Sequence, residues 1–580
     1  MQPNTPPPAA PEHSESELLA IRRTKLDDLV KAGVDAFGGR FDTTHQPGAL
    51  KAAFEENLTV SVAGRILSRR EMGKATFFDL GDISGRMQCY LSKSDVGDEA
   101  YAQFSGLVDI GDFVGVEGFT FITKRGEKSI HIKKLTPLSK ALRPLPDKWH
   151  GVTDKEIKYR QRYLDLISND RSREIFVTRS KMVAAIRHYM QEHGFMEVET
   201  PMMQDVPGGA AAKPFETFFH ALNQPMFLRI APELYLKRLL VAGFTQIFEL
   251  NRNFRNEGLS RRHNPEFTML EAYWAYADFE KMADLVEGMI CHLAENFCGG
   301  LKIKRNRQTD CLGVLNVGFS FLTIHAVEDD ASLSAEASAL EAKVKKWAHD
   351  VDSENVTEIA KAAQDELTQF AKAVSDKVSD KTKEDITRLA GQLEELSVDK
   401  HINLARPWKR ARYTDLLKSI DPKWYDYTPE ERKARAKELG VEIGANFEDY
   451  EVTQHVFERL IEAKQFDPLY VTHCPKELVP LAKQNADDDS IVDVYELVIN
   501  GQEISPGYSE LNNPIVQRER LEHQAGEETQ KIDEEFILAL EYGMPPAGGI
   551  GIGIDRLIMM LTGAESIRDV ILFPQLKRKD

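Results

Sequence analysis

From about Leu58 to Leu138 apolar residues recur at every second position. On an extended chain that period puts one face in a core and the other in water. LTVSVAGRILSRR, KATFFDLGDISGRMQCYL, DFVGVEGFTFITK and KSIHIKKLTPL are strand-like, and Gly and Asp turns part them. About five short strands in so small a span predict a closed β-barrel. Residues 57–150 hold 14 Lys/Arg against 11 Asp/Glu, a local excess of positive charge in a chain of net charge −18. A protein basic all over, such as a DNA packager, is excluded; a local nucleic-acid face is not.

The rest of the 580 residues is built differently. That length allows roughly three to five domain-sized units. The start, MQPNTPPPAAPEH, has five prolines in 11 residues, with no basic segment and no apolar segment. It is expected to be a disordered tail (1–13), not a signal peptide. The box Ser14-x-x-Glu17 predicts a helix start, and LLAIRRTKLDDLVKAG continues it to Gly33, with Arg22, Arg23 and Lys25 expected on its exposed side. A helical segment over 14–50 would precede the barrel at 51–147. A Pro-bearing linker is expected over 148–165. From 166 to 580 strands and helices alternate irregularly, and strands follow strands directly, which favours an antiparallel sheet flanked by helices. Residues 331–400 have no proline, one glycine and 12 alanines, with helix-spaced Leu340, Val344, Trp347 and Leu389, Leu393, Leu396. They predict a helical insertion at about 325–400. The five cysteines, Cys89, Cys291, Cys298, Cys311 and Cys474, form no C-x-x-C pair, so reduced thiols and a cytoplasmic setting are expected. No membrane span is expected, and GGIGIGIDRLIMMLTG, broken by Asp555 and Arg556, reads as the most apolar stretch.

The chain has no G-x-x-x-x-G-K-[ST], H-E-x-x-H or G-x-S-x-G motif. Three other segments carry chemistry. QIFELNRNFRNEGLSRRHNPEFTMLEAYWAY (246–276) reads as a hairpin whose loop offers Arg255, Arg261, Arg262 and His263. Guanidinium forks at that density suit a polyphosphate, and Phe267 could stack on a base. GGIGIGIDRLIMML (548–561) predicts a strand with one bare face that a flat ligand can approach, then a helix capped by Asp555. Arg556 in its first turn opposes the helix dipole and asks for an anion. In VYELVINGQEISPGYSELNNP (494–514), Glu496, Glu503 and Glu510 are spaced by seven. An Asn500-Gly501 turn would bring Glu496 and Glu503 together to carry Mg²⁺ on phosphates, leaving Glu510 for a cationic ligand.

These segments resemble motifs 2 and 3 and the strand between them of the class II aminoacyl-tRNA synthetases. GFMEVETPMM (194–203) is similar to motif 1, the dimer-interface element, and its proline is Pro201. GGAAAKPFET, LRIAPELYLKRL, FRNEG…RHNPEFTMLEAY, GYSELNNP and IGIGIDRLIMML resemble the lysyl-tRNA synthetase family of subclass IIb. The likeness covers about 15–325 and 401–577. RREMGKATFFDLGDISGRMQCYL (69–91) resembles that family's anticodon-binding OB-fold, with Arg69, Phe77 and Gln88 matching its anticodon-binding residues.

The resemblance implies an α+β chain: an N-terminal OB-fold barrel and a class II antiparallel-sheet catalytic domain with a helical insertion. It implies a homodimer that joins L-lysine to tRNA(Lys) with ATP and about three Mg²⁺ per active site. Arg255 would bridge the substrate carboxylate and the α-phosphate, with His263 and Arg556 on the outer phosphates. Phe267 and Arg556 would clamp adenine, and Glu257 would read its edge. Asn264 and Glu496 complete the ATP set, and Glu496 and Glu503 the metal set. Gly209, Glu233, Arg255, Glu271, Tyr273, Tyr508 and Glu510 would form the lysine pocket. Pro506 stands where the family has an asparagine, and Ser505 is a candidate replacement. A synthetase-derived RNA-binding protein without catalysis, and an enzyme that lysylates a protein, remain alternative readings.

Overall fold

A computed structural model describes residues 15–146, 154–210, 212–351, 355–444, 446–527 and 532–578. The chain divides into two compact units, Met1–Arg173 and Glu174–Asp580. The expected tail, Ser14, Asp147 at the end of the expected barrel and residues 148–153 of the expected linker lie outside the described residues.

In the first unit a helix runs over Glu15–Lys31 and ends where Gly33 takes a φ of +73°, a conformation that costs glycine little. Its basic residues do not share one solvated face. Arg22 is buried and donates to the carbonyls of Ala141, Arg143 and Ile110. Lys25 pairs with Asp109 at 2.5 Å, and Arg23 alone of the three stays exposed. Buried carbonyls need donors, and two of the expected surface cations serve that need or a carboxylate. Strands β1 (Thr59–Met72), β2 (Ala75–Asp82), β3 (Gly85–Ser92), β4 (Phe113–Ile122) and β5 (Lys128–Ser139) close in the order β1-β2-β3-β5-β4. The inward residues, among them Val62, Ile66, Leu80, Met87, Val116 and Ile132, are fully buried. Within 148–165, the described part is helical: Lys155–Arg160, then a helix Arg162–Ser168 holding a buried Arg162–Asp165 pair.

In the second unit the strands are β6 (Met196–Glu197), β7 (Met203–Gln204), β8 (Phe215–Phe219), β9 (Gln224–Leu228), β10 (Gln246–Phe254), β11 (Glu266–Ala275), β12 (Lys302–Lys304), β13 (His401–Asn403), β14 (Lys409–Arg412), β15 (Leu469–Thr472), β16 (Val494–Ile499), β17 (Gln502–Ser509) and β18 (Ala547–Gly553). Eight of them form one sheet in the order β14-β15-β16-β17-β18-β11-β10-β6. Its pairs are antiparallel except at the two edges, β14 with β15 and β10 with β6. Helices Phe279–Phe297 and Ile554–Thr562 share one core with the sheet, through Met282, Val286, Ile290, Leu557 and Ile558 against Leu270 and Ile552.

The insertion replaces the turn of a hairpin. β12 and β13 pair antiparallel, Ile303 opposite Ile402, and the described residues between them are helical or loop. Its helices begin at Gln308, earlier than the composition marks: Gln308–Gly313 runs through a π-turn at Val314–Gly318 into Phe319–Asp329, followed by Ser334–Asp350, Val356–Val374 and Asp380–Leu396. The bundle has its own core, including Leu340, Val344, Leu389, Leu393 and Leu396. Among the described residues the one long helix of high mean hydropathy is here too, at Asp310–Asp329. Length and composition alone would let it cross a membrane, but Leu315, Phe319 and Leu322 pack in the bundle core, and the core helix of a bundle gives the same signal.

Since the bundle hangs from a two-stranded ladder and carries a separate core, the sheet should not depend on it. Replacing residues 305–400 by an Asn-Gly turn is expected to leave a cooperative thermal transition and an unchanged strand signal in circular dichroism. Loss of the cooperative transition would show that the bundle supports the sheet.

Candidate active site

One face of the sheet is stripped of side chains along its middle strand. Tyr273 lies opposite Gly549, Glu271 opposite Gly551 and Met269 opposite Gly553, and on the other side Tyr508 is opposite Gly549. A Cβ at 549 would stand 1.8 Å from Glu510 Oε1 and 2.8 Å from the Tyr273 ring; one at 551 would stand 2.6 Å from Met269. The alternating Gly-Ile sequence therefore makes a floor on which neighbouring side chains lie against backbone, and which a flat ligand can approach closely.

The three glutamates spaced by seven share this face for two local reasons. The turn at Asn500 and Gly501, both with positive φ, pairs Val498 with Glu503, so Glu496 and Glu503 lie on one side. The register then slips between Leu497 and Val498: Leu497 pairs with Ser505 and Glu496 with Pro506. The extra residue inverts the alternation. Pro506, Tyr508 and Glu510 thereby join the face of Glu496, while Ser505 turns away, fully buried. Ser505 is thus no replacement for the family asparagine; Pro506 itself lines the cavity.

That cavity holds about 580 Å³ and is lined by Gly209, Glu233, Arg255, Glu271, Tyr273 and Tyr508, six of the seven residues expected for an ammonium-bearing ligand. Gly209 has φ +85°, and a Cβ there would meet Glu233 at 3.0 Å. Glu233, in the first turn of helix Glu233–Val241, accepts from the Tyr508 hydroxyl at 3.2 Å. Glu271 accepts from the Tyr273 hydroxyl at 3.3 Å. Glu510, the seventh residue, lies beneath, paired with Lys237 Nζ at 2.5 Å, and Lys237 also holds Glu233 at 2.7 Å. The sequence reading missed Lys237. Its signal was the i, i+4 spacing from Glu233 on an apolar helix. Two buried carboxylates thus share one buried ammonium, and a third, Glu271, lies near Glu233. Burial, and then Glu233, push the Glu271 carboxyl up to about 8; the two glutamates raise the Lys237 ammonium above its ordinary value, although burial opposes them. The pocket is short of positive charge.

The loop between β10 and β11 supplies the opposite sign. Arg255 lies 5.2 Å over the Phe267 ring, and its buried Nε has no hydrogen-bond partner among the described residues. Arg556 Nη2 is 2.9 Å from His263 Nε2. A guanidinium only donates, so Nε2 accepts, and Nδ1 carries the proton toward Ser260 Oγ at 2.8 Å. Burial, then Arg556, lowers the His263 pKa, which keeps the ring neutral at pH 7. Glu257 is exposed on the loop. Asn264 is buried; its amide donates to the Glu266 carbonyl and its oxygen accepts from Gln575. One expectation changes. Asp555 is not the cap: Gly553 holds that position, and Asp555 is buried, pairing with Arg179 at 2.6 Å and accepting from Thr268 N at 2.7 Å.

Glu496 and Glu503 are crowded carboxylates. Burial, Glu503 and Glu462 push Glu496 up to about 8. Burial and Glu503 push Glu462, which the sequence reading missed, up to about 7. A divalent cation would relieve that repulsion, and two carboxylates with substrate phosphates suit Mg²⁺. The described residues hold no cluster of three such ligands close enough to bind a metal by themselves.

On the barrel, Phe77 lies opposite Tyr90, and Gln88 opposite Asp79. Phe77 and Tyr90 rings are 4.9 Å apart, and Tyr90, Phe121, His131 and Phe119 continue the patch at 4.8–5.9 Å. Such a run of rings is a platform for unpaired bases; only Phe77 was singled out from sequence. Gln88 accepts from Ser129 Oγ. Arg69 has partners within the barrel unit. Its guanidinium donates to the carbonyls of Val108 and Ser105 and pairs with Glu71, so it ties a helix, Asp98–Leu107, to the barrel.

Comparison with known proteins follows the same division. The model of the class II tRNA synthetases of the D, K and N type matches residues 154–577, and that of the OB-fold nucleic acid binding domain matches 60–138. The chain belongs to the class II tRNA synthetase family. A lysine–tRNA ligase of Carboxydothermus hydrogenoformans is 40% identical, over 98% of this chain and 100% of the relative. Those of Syntrophomonas wolfei and Bacillus subtilis are 40% and 38% identical, over 97% and 98% of this chain and 97% and 99% of theirs. In this class II synthetase the bare strand, the carboxylate pocket and the basic loop all belong to the unit that the family model covers.

Gly549→Ala tests the floor. The Cβ must displace Glu510 from Lys237, and disturbing a buried pair costs about 3 kcal/mol or more. An unchanged circular dichroism spectrum with about 100-fold weaker binding of an ammonium ligand is expected. Wild-type binding would show that Glu510 takes no part.

Proposed function

We propose that the chain is a lysine–tRNA ligase: it activates L-lysine with ATP to lysyl-adenylate and pyrophosphate, then esterifies the 3′ end of tRNA(Lys). The carrying observation is the cavity in which Glu233, Glu271 and the Glu510–Lys237 pair present net negative charge beside Arg255. An ammonium satisfies the buried carboxylates, whereas a neutral side chain would leave them unpaired, and an aspartate would be repelled.

Activation is in-line attack of the lysine carboxylate on the α-phosphate, and it needs alignment and charge neutralisation more than a base. Arg255, at the cavity wall, draws the two anionic groups together. Neutral His263 and Arg556 are already joined, so both can donate to the outer phosphates once Nε2 gains a proton or Nδ1 leaves Ser260. Phe267 gives a face for adenine and Glu257 an edge contact. Glu496 and Glu503 would hold Mg²⁺, which supplies charge neutralisation on the phosphates. Homodimer formation through the segment ending at Pro201 and work in the cytoplasm belong to the same proposal. The aromatic patch around Phe77, with Gln88, would take the unpaired bases of the anticodon.

ATP–pyrophosphate exchange with each of the twenty amino acids, without tRNA, is expected to respond to lysine alone; exchange with none by folded protein would overturn the proposal. Lysine binding has a pH signature. At pH 7 a carboxyl with a pKa near 8, Glu271, is mostly protonated in the empty pocket; an arriving ammonium favours the carboxylate. Binding should therefore release a proton at pH 7, and lysine KM should fall as pH rises from 7 to 8. Calorimetry in two buffers of different ionisation enthalpy measures the release; none at pH 7 would take Glu271 out of contact with the ammonium. Phe77→Ala is expected to weaken tRNA charging while exchange keeps its rate; equal loss of both would count against the barrel's role.

A further inference from the structure

A second cleft, of about 150 Å³, lies where the root of the inserted bundle meets the β10–β11 loop and the end of helix Ile554–Thr562. Arg261, Arg262, Lys304, Arg305 and Asn306 line it, with Asp310 and Glu565 as its only carboxylates among the described residues. It shares no lining residue with the 580 Å³ cavity. The cleft is built, not a chance meeting of surface chains. Asn306 donates to the Gly563 carbonyl at 3.0 Å, fixing the root of the bundle to the end of the helix that carries Arg556. Arg262 donates to the Gly501 carbonyl at 2.8 Å, fixing the loop to the turn between β16 and β17.

Its charge is only partly answered. Arg305 reaches Asp310 at 3.3 Å and Lys304 reaches Asp399 at 3.1 Å. Arg261 and Arg262 form no salt bridge among the described residues. Burial, with Arg556 and Arg305 as neighbouring cations, lowers the Arg262 pKa although Glu462 opposes. A cleft of this size has room for phosphate groups but not for a whole nucleotide. Next along the chain from Arg262, His263 meets Arg556, so an anion held here lies beside the reacting centre but outside it.

We infer that Arg261, Arg262, Lys304 and Arg305 hold backbone phosphates of the RNA strand whose 3′ end is being charged, which makes the root of the inserted bundle part of the RNA-binding surface. The inference rests on the proposed ligase activity. It gives the insertion a task at its root, where it is basic, while the helices beyond are acidic: residues 331–400 carry 15 Asp/Glu against 10 Lys/Arg, and would repel a duplex that strayed toward them.

The test compares Lys304→Gln/Arg305→Gln and Asp310→Asn with the wild type in two assays. Exchange with lysine needs no RNA and is expected to keep its rate in both variants. In charging assays the double variant should raise the KM for tRNA about tenfold, and flatten the dependence of log(kcat/KM) on log[salt] by about 1.4, for two single-strand phosphate contacts. Asp310→Asn removes a carboxylate from the cleft and should lower the tRNA KM, which a misfolded protein cannot do. Unchanged tRNA KM and salt slope would overturn the inference. So would a rise in the ATP KM of exchange, which would assign the cleft to the nucleotide. Failure of wild-type exchange with lysine would instead overturn the ligase reading on which the inference stands.

Discussion

A methyl group at residue 549 would stand 1.8 Å from a carboxylate oxygen of Glu510, and much of the site follows from the space that glycine leaves. With no side chain on that face of β18, Tyr273 and Tyr508 approach each other's strands across bare backbone. Glu510 can then lie flat beneath the cavity, within reach of Lys237. The isoleucines of the same strand point the other way, into the core shared with helices Phe279–Phe297 and Ile554–Thr562. One strand thus anchors the sheet with one face and keeps a ligand floor with the other.

Buried charge is arranged in two unequal groups. In the pocket, Lys237 offsets part of the charge of Glu233 and Glu510, and the Glu271 carboxyl, pushed up to about 8, adds little more while it holds its proton. The charge left over favours an incoming cation. Along β16 and β17, Glu496 and Glu503 have no such internal lysine among the described residues, and Glu462 adds to their repulsion. That imbalance suits a mobile cation that arrives with substrate. Arg255 lines the same cavity as the carboxylates, and Arg556 meets His263 on the neighbouring loop, so donors and acceptors are both at hand.

The helical insertion shows how a fold tolerates added chain. A ladder of three residue pairs, Lys302 to Lys304 against His401 to Asn403, brings the ends of the insert together. The closure entropy of the long excursion is offset locally. Its separate core lets it fold without drawing on the sheet.

Sequence alone determined the elements whose reason is local. The two-residue period of 58–138 gave the barrel strands, Asn500-Gly501 the hairpin, alternating Gly and Ile the bare face, and the motif residues the family and most of the pocket. What depended on pairing between distant segments was not legible. The bulge that sets Tyr508 and Glu510 on the face of Glu496 is a register slip that spacing cannot show. Lys237 looked like an ordinary helix cation until β17 brought Glu510 to it. Arg22 and Asp555 read as surface and capping residues. Each was instead drawn inward, to carbonyls or a backbone amide that other elements left unsatisfied. A polar side chain's type is written in the sequence, but its partner is chosen by burial, and only the tertiary structure decides which polar groups water can no longer reach.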